Sequence, residues 1–169
     1  MSDREAGAVS RDRRFRVPER LALIAADPWI ADEQGEPVFQ VDEMAMAKLN
    51  AFILRDLHGV EVAQLQHPDL GEEDATDIMR EGRRLATVRR ARAGLRHHYV
   101  IEATDGGSLE VLGHVGRYDY EIRRAGDVVA SVSKRWFHAH DAYGVEVSAG
   151  EDEAMLVPAA VAIETMPIG

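Results

Sequence analysis

Near the C-terminus the run Ala154 to Ile163 contains no polar side chain. It is too short to span a bilayer, which needs about 20 apolar residues. As a helix it has no face to turn to water, so it must be covered on every side. Strand-like alternation fills most of the chain ahead of it, with almost no other helical signal. The chain must wrap sheet around a helix.

Glycine marks how that sheet is divided. Gly35, Gly59, Gly82 and Gly126 each open the same apolar/polar pattern, as in Gly-Val-Glu-Val-Ala-Gln-Leu and Gly-Asp-Val-Val-Ala-Ser-Val, and a weaker copy starts at Gly106. The spacing of about 20 to 24 residues suits one hairpin plus its connection. Tight hairpin turns need a residue with positive φ, which glycine adopts without strain. Five hairpins, a first strand near Phe15 to Val17 and a last near Ala142 to Val147 predict twelve strands. Closing them into an antiparallel barrel removes the exposed edges. About eight strands already make an interior that side chains can fill. Twelve leave a lumen, and the apolar helix from about Asp152 to Thr165, with Val161 inside it, is the natural plug. Pro158 either lies in a first turn that starts late or kinks the helix, and Asp152 is a candidate N-cap.

Residues 1–14 read as a disordered polar tail and 15–169 as a single domain. There is no cysteine, hence no disulfide framework and no thiol chemistry. The first twenty residues are charged, with no secretory leader, so a cytoplasmic protein is expected. A net charge of −10 argues against nucleic acid as a partner. No transmembrane segment is expected.

The segments 117–137, 141–147, 151–156 and 29–41 contain Val-Ser-Lys-Arg-Trp-Phe and Tyr-Gly-Val-Glu-Val. They resemble the LURP-one-related family. That family is similar to the tubby C-terminal domain and the phospholipid scramblases. The resemblance implies a twelve-stranded barrel around a C-terminal hydrophobic helix. It also implies a non-enzymatic protein that binds phosphoinositide or another acidic membrane lipid, peripheral to the membrane, without a cofactor. The polar segment from Pro68 to Thr76 departs from the family pattern.

Candidate sites are few. The densest positive stretch includes Arg84, Arg89, Arg90, Arg92 and Arg96. Strict alternation puts Arg84, Arg90 and Arg92 on one strand face as an anion site; the alternative is the solvated face of a hairpin. His138 and His140 stand at i, i+2 beside Asp141, a spacing that superficially suits a metal, without an obvious third ligand. A metal-dependent enzyme using those histidines is the third reading, behind a lipid-binding module and a protein-interaction barrel with no small ligand. Trp136 and Phe137 are expected to seal a barrel end.

Overall fold

The computed structural model describes residues 11–19, 29–42, 52–66, 74–93, 96–105, 107–137 and 141–166. Twelve strands follow in chain order: β1 (Arg13–Pro18), β2 (Trp29–Asp32), β3 (Pro37–Asp42), β4 (Phe52–Arg55), β5 (Glu61–Gln66), β6 (Ala75–Arg80), β7 (Arg83–Ala93), β8 (Arg96–Ala103), β9 (Ser108–His114), β10 (Asp119–Arg124), β11 (Asp127–Ser133) and β12 (Ala142–Val147). Each pairs antiparallel with its neighbour in sequence, and β1 pairs with β12 to close the barrel. The expected twelve-stranded barrel is the observed one. Strand β1 takes in Arg13 and Arg14, two residues of the stretch expected to be a tail. Of the polar segment from Pro68 to Thr76, only residues 74–76 are described; Ala75 and Thr76 begin β6 and are buried.

Helix α1 (Glu153–Thr165) follows β12 and fills the lumen, with every residue from Leu156 to Ile163 buried. Its surroundings are the inward side chains of the wall, among them Phe15, Ile30, Leu54, Ile78, Ile101, Ile122 and Val145. Alanines at 159, 160 and 162 keep the helix slim enough to be ringed by larger wall residues. Thirteen residues at 1.5 Å rise give about 20 Å, the length of a six-residue strand. Pro158 lies in the second turn, so the late-start alternative is excluded. Asp152 stands at the N-cap but makes no side-chain cap; its carboxylate faces Arg80 at 3.4 Å instead.

Because neighbours run antiparallel, the connections after β2, β4, β6, β8 and β10 all fall at one end of the barrel. These are the glycine turns. Gly35, Gly59, Gly82 and Gly126 have φ of 81°, 80°, 75° and 90°. They divide into two kinds that the repeat does not distinguish. In the longer turns Asp32 Oδ1 accepts the N–H groups of Gln34 and Glu36, and Asp56 Oδ1 accepts those of His58 and Val60. In the shorter ones Glu81–Gly82 and Ala125–Gly126 both have positive φ, the two-residue hairpin turn that matches strand twist. Gly106 lies outside the described residues.

The start of α1 is tied to this glycine end. Arg13 pairs with Glu153 at 2.8 Å, Arg124 with Glu151 at 2.7 Å, and Arg80 with Asp152. The helix therefore runs from the glycine end to the far end, where it closes with the half-buried Glu164 and the buried Met166.

Val161 is 1% exposed and belongs to the apolar core cluster. A carboxylate there costs several kcal/mol, comparable with the whole stability of a domain. Val161→Asp is expected to abolish cooperative thermal unfolding; an unchanged melting curve would mean the helix does not fill the barrel.

Candidate functional site

The expected common face for Arg84 and Arg90 does not form. Ile78 pairs with Ala86 but Met79 pairs with Arg84, so a bulge at Leu85 breaks the alternation of β7. Arg84 is exposed beside the glycine end. Arg90 points inward with Ala86 and Val88 and is 6% exposed. Six residues of strand separate the two, about 20 Å. Arg89 lies on the outer face, 3.2 Å from Glu102. Arg92 and Arg96 belong to the β7–β8 hairpin at the far end. His138 and His140 lie outside the described residues. Asp141 is exposed, and its carbonyl accepts the Glu19 N–H. Among the described residues no three His, Asp or Glu side chains converge on a metal position.

Trp136 and Phe137 cover the outside of the wall instead of a barrel mouth. Gly144 faces outward between the inward Tyr143 and Val145, and a Cβ added to it would lie 2.6 Å from the Trp136 ring and 3.2 Å from that of Phe137. The Arg14 guanidinium stacks on Trp136 at 4.6 Å.

The far end carries a cleft of about 600 Å³ around the C-terminus of α1. Its polar lining comes from Arg90, Tyr99, His114, Arg117, Tyr118 and Glu164, and its apolar lining includes Val115, Ile163 and Met166. A tight connection builds one wall. Residues Val115–Arg117 form a 3₁₀ turn, closed when the Tyr118 N–H donates to the Val115 carbonyl at 3.0 Å. Tyr118 accepts a left-handed φ of 52° there. Gly113 is required beside it: a Cβ would sit 2.5 Å from the Asp119 carbonyl oxygen. The turn swings Tyr118 and, two residues on, Tyr120 onto the inner side of β10.

Behind the cleft these tyrosines meet an acid. The Tyr120 hydroxyl donates to Glu164 Oε1 at 3.2 Å. The Tyr118 and Tyr143 rings lie 5.1 Å apart. Lys134 Nζ sits over the Tyr118 ring at 4.6 Å and pairs with Glu19 at 2.8 Å. Desolvation is the main reason the Glu164 carboxyl is pushed up to about 7, and Glu19 adds to it; the Tyr120 hydrogen bond and Lys134 act the other way. Burial first, then the Glu164 charge, raises the Tyr118, Tyr120 and Tyr143 hydroxyls. Arg90 binds Asp74 through Nε at 3.1 Å and through Nη2, and that carboxylate raises its already high pKa further despite burial.

The cleft thus combines a carboxyl poised near neutrality, aromatic faces, an exposed arginine and an apolar floor. It can hold an amphipathic molecule with charged groups. Of the expected arginines whose side chains are described, Arg90 lines it and Arg84 and Arg89 do not. Sequence reasoning missed Glu164, Tyr118 and Tyr99. The signal was present in Glu164, the acid that ends the apolar run from Ala154 to Ile163.

A family model described as LURP-one-related matches residues 14–164. The X-ray structure of a protein from Arabidopsis thaliana superposes with a TM-score of 0.69 at 17% identity, covering 92% of this chain and 91% of that one. At that identity the likeness concerns the fold. No curated protein matches the sequence.

A carboxyl whose folded pKa is raised above its unfolded value stabilises the fold while protonated. For Glu164 that stabilisation is complete below the ordinary value of 4.5 and is lost as pH rises to about 7. Its size, discounted for partial exposure, is on the order of 1–2 kcal/mol. Melting temperature should therefore fall from pH 5 to pH 8 more in the wild type than in Glu164→Gln. Parallel curves for the two proteins would show that Glu164 titrates normally.

Proposed function

The chain belongs to the LURP-one-related family, and on that premise we propose that it is a non-enzymatic binding module that takes a phosphorylated membrane-lipid headgroup at the far end of its barrel, as a peripheral cytoplasmic protein. The far-end cleft is the observation that carries this reading. Phosphate is bound strongly by guanidinium groups, and Arg117 is exposed at the rim with Arg90 deeper in. Val115, Ile163 and Met166 offer apolar contact to the part of the ligand next to the acyl chains. Among the described residues no helix is long and apolar enough to cross a membrane.

A protein-interaction barrel without a small ligand is the second reading. It is favoured by the ion pairs that occupy Arg80, Arg89 and Arg90, with Asp152, Glu102 and Asp74. Three of the five arginines between Arg80 and Arg96 whose side chains are described are thereby engaged within the fold.

Sedimentation with phospholipid vesicles separates the two. The wild type is expected to co-sediment at low salt and Arg117→Ala to lose most of that binding, with its melting curve unchanged because the side chain is exposed. Absence of sedimentation with every vesicle composition would leave the interaction barrel as the function.

A further inference from the structure

We infer that the far-end cleft is selective for a zwitterionic phosphodiester, seating the ammonium group against Glu164 and the tyrosine faces and the phosphate against Arg117. This rests on the headgroup reading above and narrows its ligand.

The carboxyl side of the cleft is built for a cation. Glu164 lies in the last turn of α1, where the helix dipole is negative and the last carbonyls lack helical partners. No basic residue stands in that turn. The Thr165 hydroxyl donates back to the Val161 carbonyl at 2.8 Å, which leaves Glu164 as the charged group of the helix end. Its one protein hydrogen bond among the described residues comes from Tyr120, while a carboxylate can accept several. Tyr99 and Tyr118 line the same space. Aromatic faces attract ammonium groups, quaternary ones included, and the chain already uses Tyr118 this way by placing Lys134 Nζ on its ring.

The positive side is modest. Among the described side chains that line the cleft, the Arg90 charge is matched by Asp74, and Arg117 and His114 stand at the rim. A single unmatched arginine among the described lining residues suits a phosphodiester bearing a single charge better than a polyphosphorylated headgroup. The whole chain points the same way. A protein of net charge −10 is repelled by an acidic bilayer, whereas a zwitterionic surface carries no net charge to oppose its approach.

The groups around Glu164 set how binding responds to pH. Tyr120 from β10 and Tyr143 from β12 face it, with Tyr118, Glu19 and Lys134 from the neighbouring connections. Arg90 from β7, Tyr99 from β8 and the His114–Arg117 turn share the cleft. An ammonium ligand favours the ionised carboxyl, so its binding releases a proton. With Glu164 titrating at about 7, affinity should rise about tenfold between pH 6 and pH 8.

The test uses calorimetric titration of the full chain with glycerophosphocholine and with glycerophosphoglycerol, diesters whose own charge is constant over that range. Vesicles of phosphatidylcholine and of phosphatidylglycerol are run in parallel. Wild type should bind glycerophosphocholine at least tenfold tighter than glycerophosphoglycerol, with the pH rise above. Glu164→Gln should remove both the preference and the rise while leaving the His114 imidazole in the cleft. Binding of glycerophosphocholine without phosphatidylcholine sedimentation upholds the zwitterion site and assigns it a soluble ligand. Equal binding of the two diesters, or tighter binding of phosphatidylglycerol vesicles, overturns the zwitterion selectivity and leaves the headgroup reading standing. No binding of any of the four overturns both. The wild-type comparison decides the matter even where Glu164→Gln fails to fold.

Discussion

A twelve-stranded barrel cannot fill its own interior, and everything distinctive about this protein follows from that vacancy of side chains. The wall contributes one inward layer of Val, Ile, Leu and Phe, and α1 supplies the rest. A helix enclosed in this way can tolerate no polar face, which is why its sequence has none between Ala154 and Ile163. It also tolerates a proline, because burial in the lumen holds the helix in place when one of its own hydrogen bonds is missing. The acids at the start of the helix are held by arginines of β1, β6 and β10, so the plug is fixed at the glycine end and delivers its last turn to the other.

The first charged side chain after that apolar stretch is therefore placed by the fold at the boundary of the core. Glu164 is neither fully enclosed nor free in solvent. Water is excluded on the side of Tyr120 and Tyr143, while the other side opens on the cleft. Such a position disfavours the charged form, and the nearby Glu19 adds repulsion that Lys134 offsets only in part. The same group would be an ordinary surface acid two turns further out. Perturbed acids in concave sites are functional candidates on physical grounds, and here the perturbation and the cleft have one origin, the end of the plug.

Strand number, the closing pair, the helix and the positive φ of four glycines were legible in the sequence because each is signalled locally, by period or by a residue with no Cβ. What was not legible depends on a single-residue slip or on distant partners. The bulge at Leu85 shifts Arg84 out of phase with Arg90, and no periodicity reports it, since one inserted residue exchanges the faces of a strand. Asp152 looked like a cap from its neighbours in sequence, yet Arg80, far away in the chain, takes its carboxylate. Trp136 and Phe137 were readable as aromatic covers, but their place on Gly144 depends on how the β11–β12 connection folds back. The cleft itself joins residues of β7, β8, the β9–β10 turn and α1, which only closure of the barrel brings together.

The most direct measurement is the titration of the Glu164 side-chain carboxyl by carbon NMR in the free protein. A midpoint about 7 is predicted, with a downward shift when a cationic ligand occupies the cleft. A midpoint at the ordinary 4.5, unmoved by ligand, would contradict the placement of this carboxyl at a desolvated cleft floor and remove the basis for a binding site there.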